Sequence, residues 1–403
     1  MDFLVKNAQL RKQKGQVDIL VRGGRVAGME ANIQADVGTT VDAGGMLVTE
    51  SFVNAHLHLC KVYTLDMMSE EAMASYHGEG MGKAMTAIEQ AAKIKEKYDE
   101  SWILPNVRKA VKLAVRNGNT HIRALADVDS KAKLIGLKAL LKAREEFKGI
   151  CDLQVTAFPQ DGVVREPGTI PLIEEAMELG ADCVGGIPWI EFTDADAQVH
   201  VDEMVRIAKK HDAQISMLVD DAGDAGLRTT EMLALALIRE GMEGMGLAHH
   251  ARAMGLYPMP YFQKLSALLK RADMGVVSDP HTGPLHAKVK ELLAEGNKVC
   301  LGMDDISDAY YPYGRNNMLE VAFLNSHLLW MTTKEDMEIL YDMVTTRAAA
   351  CMNMPDFELQ VGNEANFVVL AEPTVNEALR NHREPAHVIS HGKLVNLNDM
   401  EVE

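Results

Sequence analysis

Two histidines separated by a single residue are the first feature of this sequence that could do chemistry. His56 and His58 end an apolar run that begins at Phe52, and alternate strand residues point to the same side, so both imidazoles can face one metal ion. Taken alone, this spacing is weak evidence. Asp304 and His249 also follow short apolar runs, where a carboxylate could complete a metal site and accept a proton from water, although a lone Asp304 would more often cap a helix. Together these residues predict a metal site with a base beside it.

The elements that must bring these residues together are short apolar strands alternating with long amphipathic helices. A strand ending near His56 is followed by candidates at Thr120–Leu125, Asp152–Phe158, Cys183–Ile187, Ala213–Leu218, Gly244–His249, Met274–Val277 and Lys298–Leu301. Eight strands, most of them followed by a helix, predict an α/β fold of the (β/α)8 TIM barrel type, whose functional groups lie at the carboxyl ends of the strands. A doubly wound open sheet is the alternative. No GxGxxG follows the first strand and no GxxxxGKS/T occurs, so a nucleotide-binding version has little support.

The two ends of the chain have a different texture from the middle. Short β-like runs punctuated by Gly23-Gly24 and Gly44-Gly45 occupy the first fifty residues, and the runs Ala365–Leu370 and His387–Val395 resemble them. We therefore expect residues 1–50 and 360–403 to form one small sheet domain, with the barrel occupying residues 51–359.

Composition narrows the classes of function. The formal net charge of the 403 residues is −17, which argues against nucleic acid or an anionic membrane surface as a partner. The amino-terminal residues lack the apolar segment of a signal peptide, and no run approaches the roughly 18 apolar residues of a membrane span. The five cysteines are widely spaced without a CxxC pair, as in proteins of reducing compartments. These features predict a cytoplasmic enzyme.

Several longer motifs carry a resemblance to a known family. The sequence resembles the amidohydrolase superfamily, specifically the branch of cytosine deaminase and N-isopropylammelide isopropyl amidohydrolase, nearly from end to end. The matching segments are Asp42-Ala43-Gly44-Gly45, Phe52-Val53-Asn54-Ala55-His56-Leu57-His58-Leu59, Phe158-Pro159-Gln160-Asp161-Gly162, Gly185-Gly186-Ile187-Pro188, Leu301-Gly302-Met303-Asp304-Asp305, Tyr311-Pro312-Tyr313-Gly314 and Gly362–Leu370. The resemblance implies a distorted barrel with a β-sandwich built from both termini.

The resemblance also implies a role for each matched residue. His56, His58 and Asp304 match metal ligands, and one divalent transition metal per subunit, zinc or iron, would activate water for attack on a C–N bond. Asp304, His249 and Asp221 match the groups that move protons. Gln160, Asp305, Tyr310 and Lys61 match residues of the substrate pocket in one or the other enzyme of the branch. A small heterocyclic substrate and a homo-oligomeric assembly are implied as well.

Three positions depart from the family pattern. Leu218 stands where the fifth strand of relatives carries a metal-binding histidine, and Leu125 replaces a histidine of the third strand. Asp221 replaces a proton-shuttling glutamate and is shorter by one methylene. A metal held by only three groups would bind weakly, so another ligand is expected from Asp220, Asp221, His249, His250 or His281.

Two hypotheses of function follow. The first is a metal-dependent hydrolase that deaminates a small nitrogen heterocycle or opens a ring amide. The second is a metal-poor relative that keeps the fold but has a non-hydrolytic catalytic or binding role, and it is motivated by Leu218 and Leu125. Metal content separates the two.

The remaining features are ambiguous or structural. The methionines Met67, Met68, Met73, Met81 and Met85 could line an apolar pocket over the barrel mouth or simply pack a helix. Cys60 is expected to be a structural residue rather than a thiolate ligand. His200 has no ligand spacing and is expected on a helix face or the surface.

Overall fold

The two ends of the chain are joined in one sheet. The computed structural model describes residues 2–67, 92–281 and 284–402. Within them the terminal strands are β1 (Phe3–Leu10), β2 (Gln16–Arg22), β3 (Arg25–Glu30), β4 (Thr39–Asp42), β5 (Leu47–Glu50), β14 (Phe367–Val369), β15 (His387–Ser390) and β16 (Lys393–Leu394). Their order is β16-β15-β14-β5-β1-β2-β3, with β4 paired to β1. Strands β4 and β5 run parallel to β1, whereas the other pairs are antiparallel.

This terminal sheet has an apolar core of its own. Phe3, Val5 and Ile19 from the start of the chain pack with Phe367 and Ile389 from its end. The joining of both termini, expected from their shared texture, is therefore observed.

The middle of the chain is a parallel eight-stranded sheet in strict chain order. Its strands are β6 (Phe52–Leu57), β7 (Asn119–Asp127), β8 (Asp152–Phe158), β9 (Cys183–Gly186), β10 (Gln214–Val219), β11 (Gly246–His250), β12 (Gly275–Ser278) and β13 (Val299–Leu301). The first and last strands meet through the segment after β13. The amide of Met303 donates to the carbonyl of His56 over 3.1 Å, and the amide of His58 donates to the carbonyl of Asp304 over 2.8 Å. The predicted barrel is confirmed, and its closure brings Asp304 beside His56 of β6 and His58, which directly follows this strand.

Helices connect these strands and cover the barrel. The described helices of the middle region are Glu100–Arg116, Ile135–Glu146, Thr169–Glu178, Asp194–Lys210, Thr229–Glu240, Met259–Arg271, Val289–Ala294, Met318–Leu328, Lys334–Asp342 and Thr346–Cys351, and Val375–Asn381 follows near the end. Side-chain caps mark several of their starts. Asp99 accepts from the amide of Ser101, and Thr193 from that of Asp196. The helix Asp194–Lys210 begins where Thr193 caps it.

A buried arginine lies among polar side chains of the barrel strands. The Arg123 guanidinium donates to Ser216 Oγ over 2.9 Å and to Gln154 Oε1 over 2.7 Å, and it also bonds to Gln214. These bonds satisfy a charge that would otherwise be costly to bury. No helix of the described residues is long and apolar enough to cross a membrane. Of the methionine cluster only Met67 is described, and the proposed pocket at Met68, Met73, Met81 and Met85 lies outside the described residues.

Candidate active site

The predicted metal ligands lie at the carboxyl end of the barrel. Asn54, buried in β6, holds two ligand-bearing segments together, because its Oδ1 accepts from the amides of His56 over 3.2 Å and Met303 over 3.1 Å. Gly302 must be glycine here, since a Cβ at that position would lie 2.6 Å from the Cβ of His56. Sequence reasoning assigned no role to Asn54, although it lies within the matched motif.

Three imidazoles surround one carboxylate oxygen. Asp304 Oδ1 lies 3.0 Å from His56 Nε2, 3.7 Å from His58 Nε2 and 3.7 Å from His250 Nε2. All four side chains are buried. The backbone angle φ is 73° at Asp304 and 64° at His250, a left-handed conformation that non-glycine residues adopt mainly where the surroundings impose it. His56, His58 and Asp304 have donor atoms close enough together to hold one ion, and two imidazoles with a carboxylate suit a divalent transition metal.

His249, the sixth-strand residue singled out from the sequence, occupies a different place from His250. Its Nδ1 lies 2.6 Å from His56 Nδ1, and its buried Nε2 has no hydrogen-bond partner. In the strand register His249 is paired with Leu218 of β10. His249 therefore contacts a metal-ligand candidate directly, while His250 is the imidazole that reaches Asp304.

The two leucines that depart from the family pattern lie in the same apolar cluster. Leu218 and Leu125 are buried in one small cluster with Phe158, Ile187 and Ile190. Neither can bind a cation, so the ligand predicted to replace the missing histidine must come from elsewhere.

The candidates for that replacement are used very differently. Asp220 accepts from the amide of Thr229 over 2.6 Å, from that of Thr230 over 3.3 Å and from Tyr257 Oη over 2.7 Å, so it anchors the start of a helix. His281 Nδ1 lies 2.9 Å from the carbonyl oxygen of Met303.

Asp221 and His250 are the two candidates that face the site. Asp221 pairs with Arg252 over 2.9 Å and lies 4.0 Å from His250 Nε2. His250 is therefore the additional imidazole that lies beside Asp304.

Two groups that sequence reasoning missed surround His250. Asp279 Oδ2 lies 3.3 Å from His250 Nδ1, and Arg252 Nη2 lies 3.1 Å from the same nitrogen. The donor atoms of His56, His250 and Asp279 also lie close enough together to hold an ion. A signal for Asp279 was present in the sequence, because this residue directly follows β12 at the end of the barrel where function is expected.

Burial controls the electrostatics of the cluster. It lowers the pKa of His58, His249 and His250 well below the ordinary value, which keeps these imidazoles neutral and their lone pairs free for a metal. Burial opposes ionisation of Asp304, but the neighbouring His250 and His56 outweigh it and hold the pKa of Asp304 well below its usual range. Burial raises the pKa of Asp221 to about 7 and that of Asp279 to about 7.

A second polar group borders the metal-ligand cluster. Lys61 Nζ donates to Gln160 Oε1 over 2.7 Å, lies 3.7 Å from Asp127 Oδ1, and sits 4.7 Å from the centre of the Tyr310 ring. Asp305 is buried beside this group, and burial next to Asp304 raises its pKa well above the usual range. The four residues matched to the substrate pocket are thus brought together.

Cys60 does not join the ligands. Its Sγ accepts from the amide of Asp127 over 3.3 Å and contacts the Tyr98 hydroxyl at 3.6 Å. Burial raises the pKa of the Cys60 thiol to about 12, so it stays protonated at neutral pH. All five cysteines are buried and unpaired.

Comparison with known proteins identifies the family of the chain. Residues 39–396 match the model of the amidohydrolase family. The chain belongs to this family. It is 27% identical over 395 residues to N-isopropylammelide isopropyl amidohydrolase of Pseudomonas sp., and the match covers 98% of this chain and 97% of that one.

Solved structures give the same result. The 5-methylcytosine deaminase of Klebsiella pneumoniae, liganded with phosphonocytosine, superposes with a TM-score of 0.89 at 28% identity and 98% coverage of both chains. The N-isopropylammelide isopropylaminohydrolase of Burkholderia multivorans superposes with a TM-score of 0.87 at 25% identity and 98% coverage of both. The resemblance read from the sequence is confirmed, and so is the enzyme class, a hydrolase of non-peptide C–N bonds.

Proposed function

We propose that this protein is a metal-dependent hydrolase that deaminates a small nitrogen heterocycle of the pyrimidine or triazine type. The observation that carries the proposal is the convergence of His56, His58 and His250 on Asp304. The names of the relatives, which specify a methylcytosine and an ammelide, favour a ring of this size with an exocyclic amine.

We infer that His56, His58, His250 and Asp304 hold the metal. When bound, a divalent ion of this kind supplies a Lewis acid that lowers the pKa of water toward ~7. His250 Nε2, 3.7 Å from Asp304 Oδ1, is the nitrogen that would bind, while Nδ1 lies against Arg252 and Asp279. Donation from His56 Nδ1 to His249 Nδ1 over 2.6 Å leaves His56 Nε2 directed at Asp304.

The remaining residues supply proton transfer and recognition. Asp304 accepts the proton of the attacking water. Asp221 lies 4.0 Å from His250 and passes a proton to the leaving nitrogen. The imidazole that assists this transfer is that of His249 or His250. Gln160 and Lys61 present an amide and an ammonium group to the edge of the ring, and Asp305 and Tyr310 complete that side of the pocket.

Metal analysis tests the proposal against the metal-poor alternative. Purified protein should contain close to one equivalent of transition metal per chain at this site, and chelation should abolish deamination in a screen of pyrimidines, triazines, pterins and cyclic ureas. Far less than one equivalent, with activity unaffected by chelators, would overturn the proposal.

Variants identify the ligand that replaces the missing histidine. His250→Gln should lose the metal at this site, whereas His281→Gln, a matched change at a neighbouring imidazole, should retain it. Adding Leu218→His to His250→Gln should restore occupancy, because it returns an imidazole to the fifth strand. Equal metal content in wild type and His250→Gln would refute the assignment of His250.

A further inference from the structure

A second group of metal-ligating side chains lies at the opposite end of the barrel, where the terminal sheet meets it. His121 lies near the amino end of β7, Asp152 is the first residue of β8, and His391 directly follows β15 of the terminal sheet. One donor atom from each lies within 4.8 Å of the other two. The group is separate from the active site, which occupies the carboxyl ends of the same strands.

The spacing of the donor atoms fits a bound ion. Asp152 Oδ1 lies 3.3 Å from His391 Nε2, and Asp152 Oδ2 lies 3.6 Å from His121 Nε2. Around a tetrahedral zinc ion with ligand bonds of about 2.0–2.1 Å, neighbouring donors are about 3.3–3.4 Å apart. The three side chains therefore need little movement to close on a metal.

The other nitrogen of each imidazole already has a partner. His391 Nδ1 lies 3.0 Å from Glu364 Oε1, and His121 Nδ1 lies 2.8 Å from Thr120 Oγ1. Metal-binding histidines commonly use their second nitrogen in this way, because the bond fixes the ring orientation and the tautomer. Nε2 of His391 is buried and lies 3.3 Å from Asp152 Oδ1, so it is the nitrogen directed at the other donors of the group.

We propose that His121, Asp152 and His391 bind a divalent transition metal ion that links the terminal sheet to the barrel. Two imidazoles and one carboxylate are suited to zinc. The side chains of Asp152 and His391 are 43% and 20% exposed, so an ion can enter from solvent and keep water in its remaining position. Because one ligand comes from the terminal sheet and two from the barrel, the ion would tie the end of the chain to the amino end of the barrel.

Zinc content and stability test the site. Metal-free protein is equilibrated with Zn²⁺, dialysed and analysed for zinc, and its thermal unfolding is recorded with and without Zn²⁺. His391→Gln should hold one equivalent less than the wild type and lose part of the rise in unfolding temperature that zinc produces. The control is His387→Gln, four residues earlier and in no such donor group among the described residues, and it should match the wild type.

Further variants separate this site from the active site. In a His58→Gln background the zinc that remains should depend on His391, so failure of the active-site proposal would leave this result intact. Asp152→Asn at a partly exposed position provides a second test if His391→Gln fails to fold. Equal zinc in the wild type, His391→Gln and Asp152→Asn would overturn the site and leave a metal-free ion pair of a protonated His391 with Asp152 and Glu364.

Discussion

Asp304 is the central residue of the candidate active site. It is buried, its Oδ1 is shared by three imidazoles, and its backbone is held in a left-handed conformation by the segment that closes the barrel. Asp305, next in the chain, is equally buried, but it faces Asp308 and Lys61 instead. Two adjacent aspartates therefore have separable roles.

Asp304→Asn should lower kcat/KM at least ~10²-fold, the usual scale for removing a positioned general base. Asparagine keeps the size of the side chain and one oxygen but cannot accept the proton. The unfolding temperature should change little, since the backbone bonds that close the barrel remain. Asp305→Asn is the matched control, and it should alter substrate preference more than rate. Near-normal turnover in Asp304→Asn would contradict its catalytic assignment.

At the scale of elements, a buried histidine on the helix Asp194–Lys210 supports the turn that carries Gln160. His200 was expected on a helix face or the surface, but it is fully buried. Its Nε2 accepts from the amide of Ile187 over 3.1 Å, and its Nδ1 lies 2.7 Å from Glu191 Oε1. Glu191 in turn accepts from the amides of residues 163–165. Gly162 has a φ of 93°, and a Cβ there would lie 2.9 Å from Glu191 Oε1.

His200→Ala should therefore destabilise the protein by about 2–4 kcal/mol, because it opens a cavity and leaves the Glu191 carboxylate short of a partner. Chemical denaturation measures the change. His211→Ala, at the partly exposed end of the same helix, should cost far less. Equal costs for the two variants would show that the network contributes nothing beyond helix stability.

The buried pair of His200 and Glu191 predicts that the protein loses stability in acid. Burial lowers the pKa of His200, and the hydrogen bonds from His200 and the 163–165 amides outweigh burial and lower the pKa of Glu191. Both groups bind fewer protons in the folded state, so the stability they confer falls as the pH drops below ~6.5 for the histidine and ~4.3 for the glutamate. His200→Gln should show a shallower loss of stability than the wild type between these values. If the stabilities of His200→Gln and the wild type fall in parallel over this pH range, the prediction is wrong.

At the scale of the whole molecule, Arg11 ties the terminal sheet to the helix Lys334–Asp342. It follows β1, and its Nη2 lies 2.7 Å from Glu338 Oε2 and 2.6 Å from Asp342 Oδ1, with the guanidinium 4.6 Å from the centre of the Tyr341 ring. Its side chain is only 10% exposed. Arg11→Met should cost about 1–3 kcal/mol in unfolding free energy, since two carboxylates lose their buried partner and retain the exposed Lys12, 3.9 Å from Glu338 and 3.6 Å from Asp342.

The matched control for Arg11 is an exposed pair within the barrel. Arg108 lies 2.6 Å from Glu146 with both side chains largely in water, so Arg108→Met should change stability little. If both variants cost the same in denaturation experiments, the link between sheet and barrel is no stronger than a surface ion pair.

Assembly into a homo-oligomer also remains a prediction. It follows from the family resemblance, and it works against the mutual repulsion of chains that each carry a net charge of −17. Sedimentation at micromolar concentration should give a mass of more than one chain, and added salt should favour association by screening the repulsion. A monomer under all salt conditions would contradict the prediction.

The sequence by itself determined the order of elements and the family. Strand periodicity placed all eight barrel strands, and the motifs around His56, His58 and Asp304 identified the end of the barrel where the site lies. These features are local, because alternation, capping and turn residues act over a few neighbours. The family resemblance also showed that Leu218 stands where the family pattern has a fifth-strand histidine.

Only the tertiary structure decided which of the candidate replacements lies beside Asp304 and what the neighbouring residues do. Asp220, Asp221 and His250 were equivalent candidates in the sequence, yet one anchors a helix, one pairs with Arg252 and one reaches Asp304. The left-handed backbone at His250 turns its ring into the site, so strand alternation could not assign it. The direction of a buried side chain depends on packing between residues far apart in sequence, which no local pattern contains.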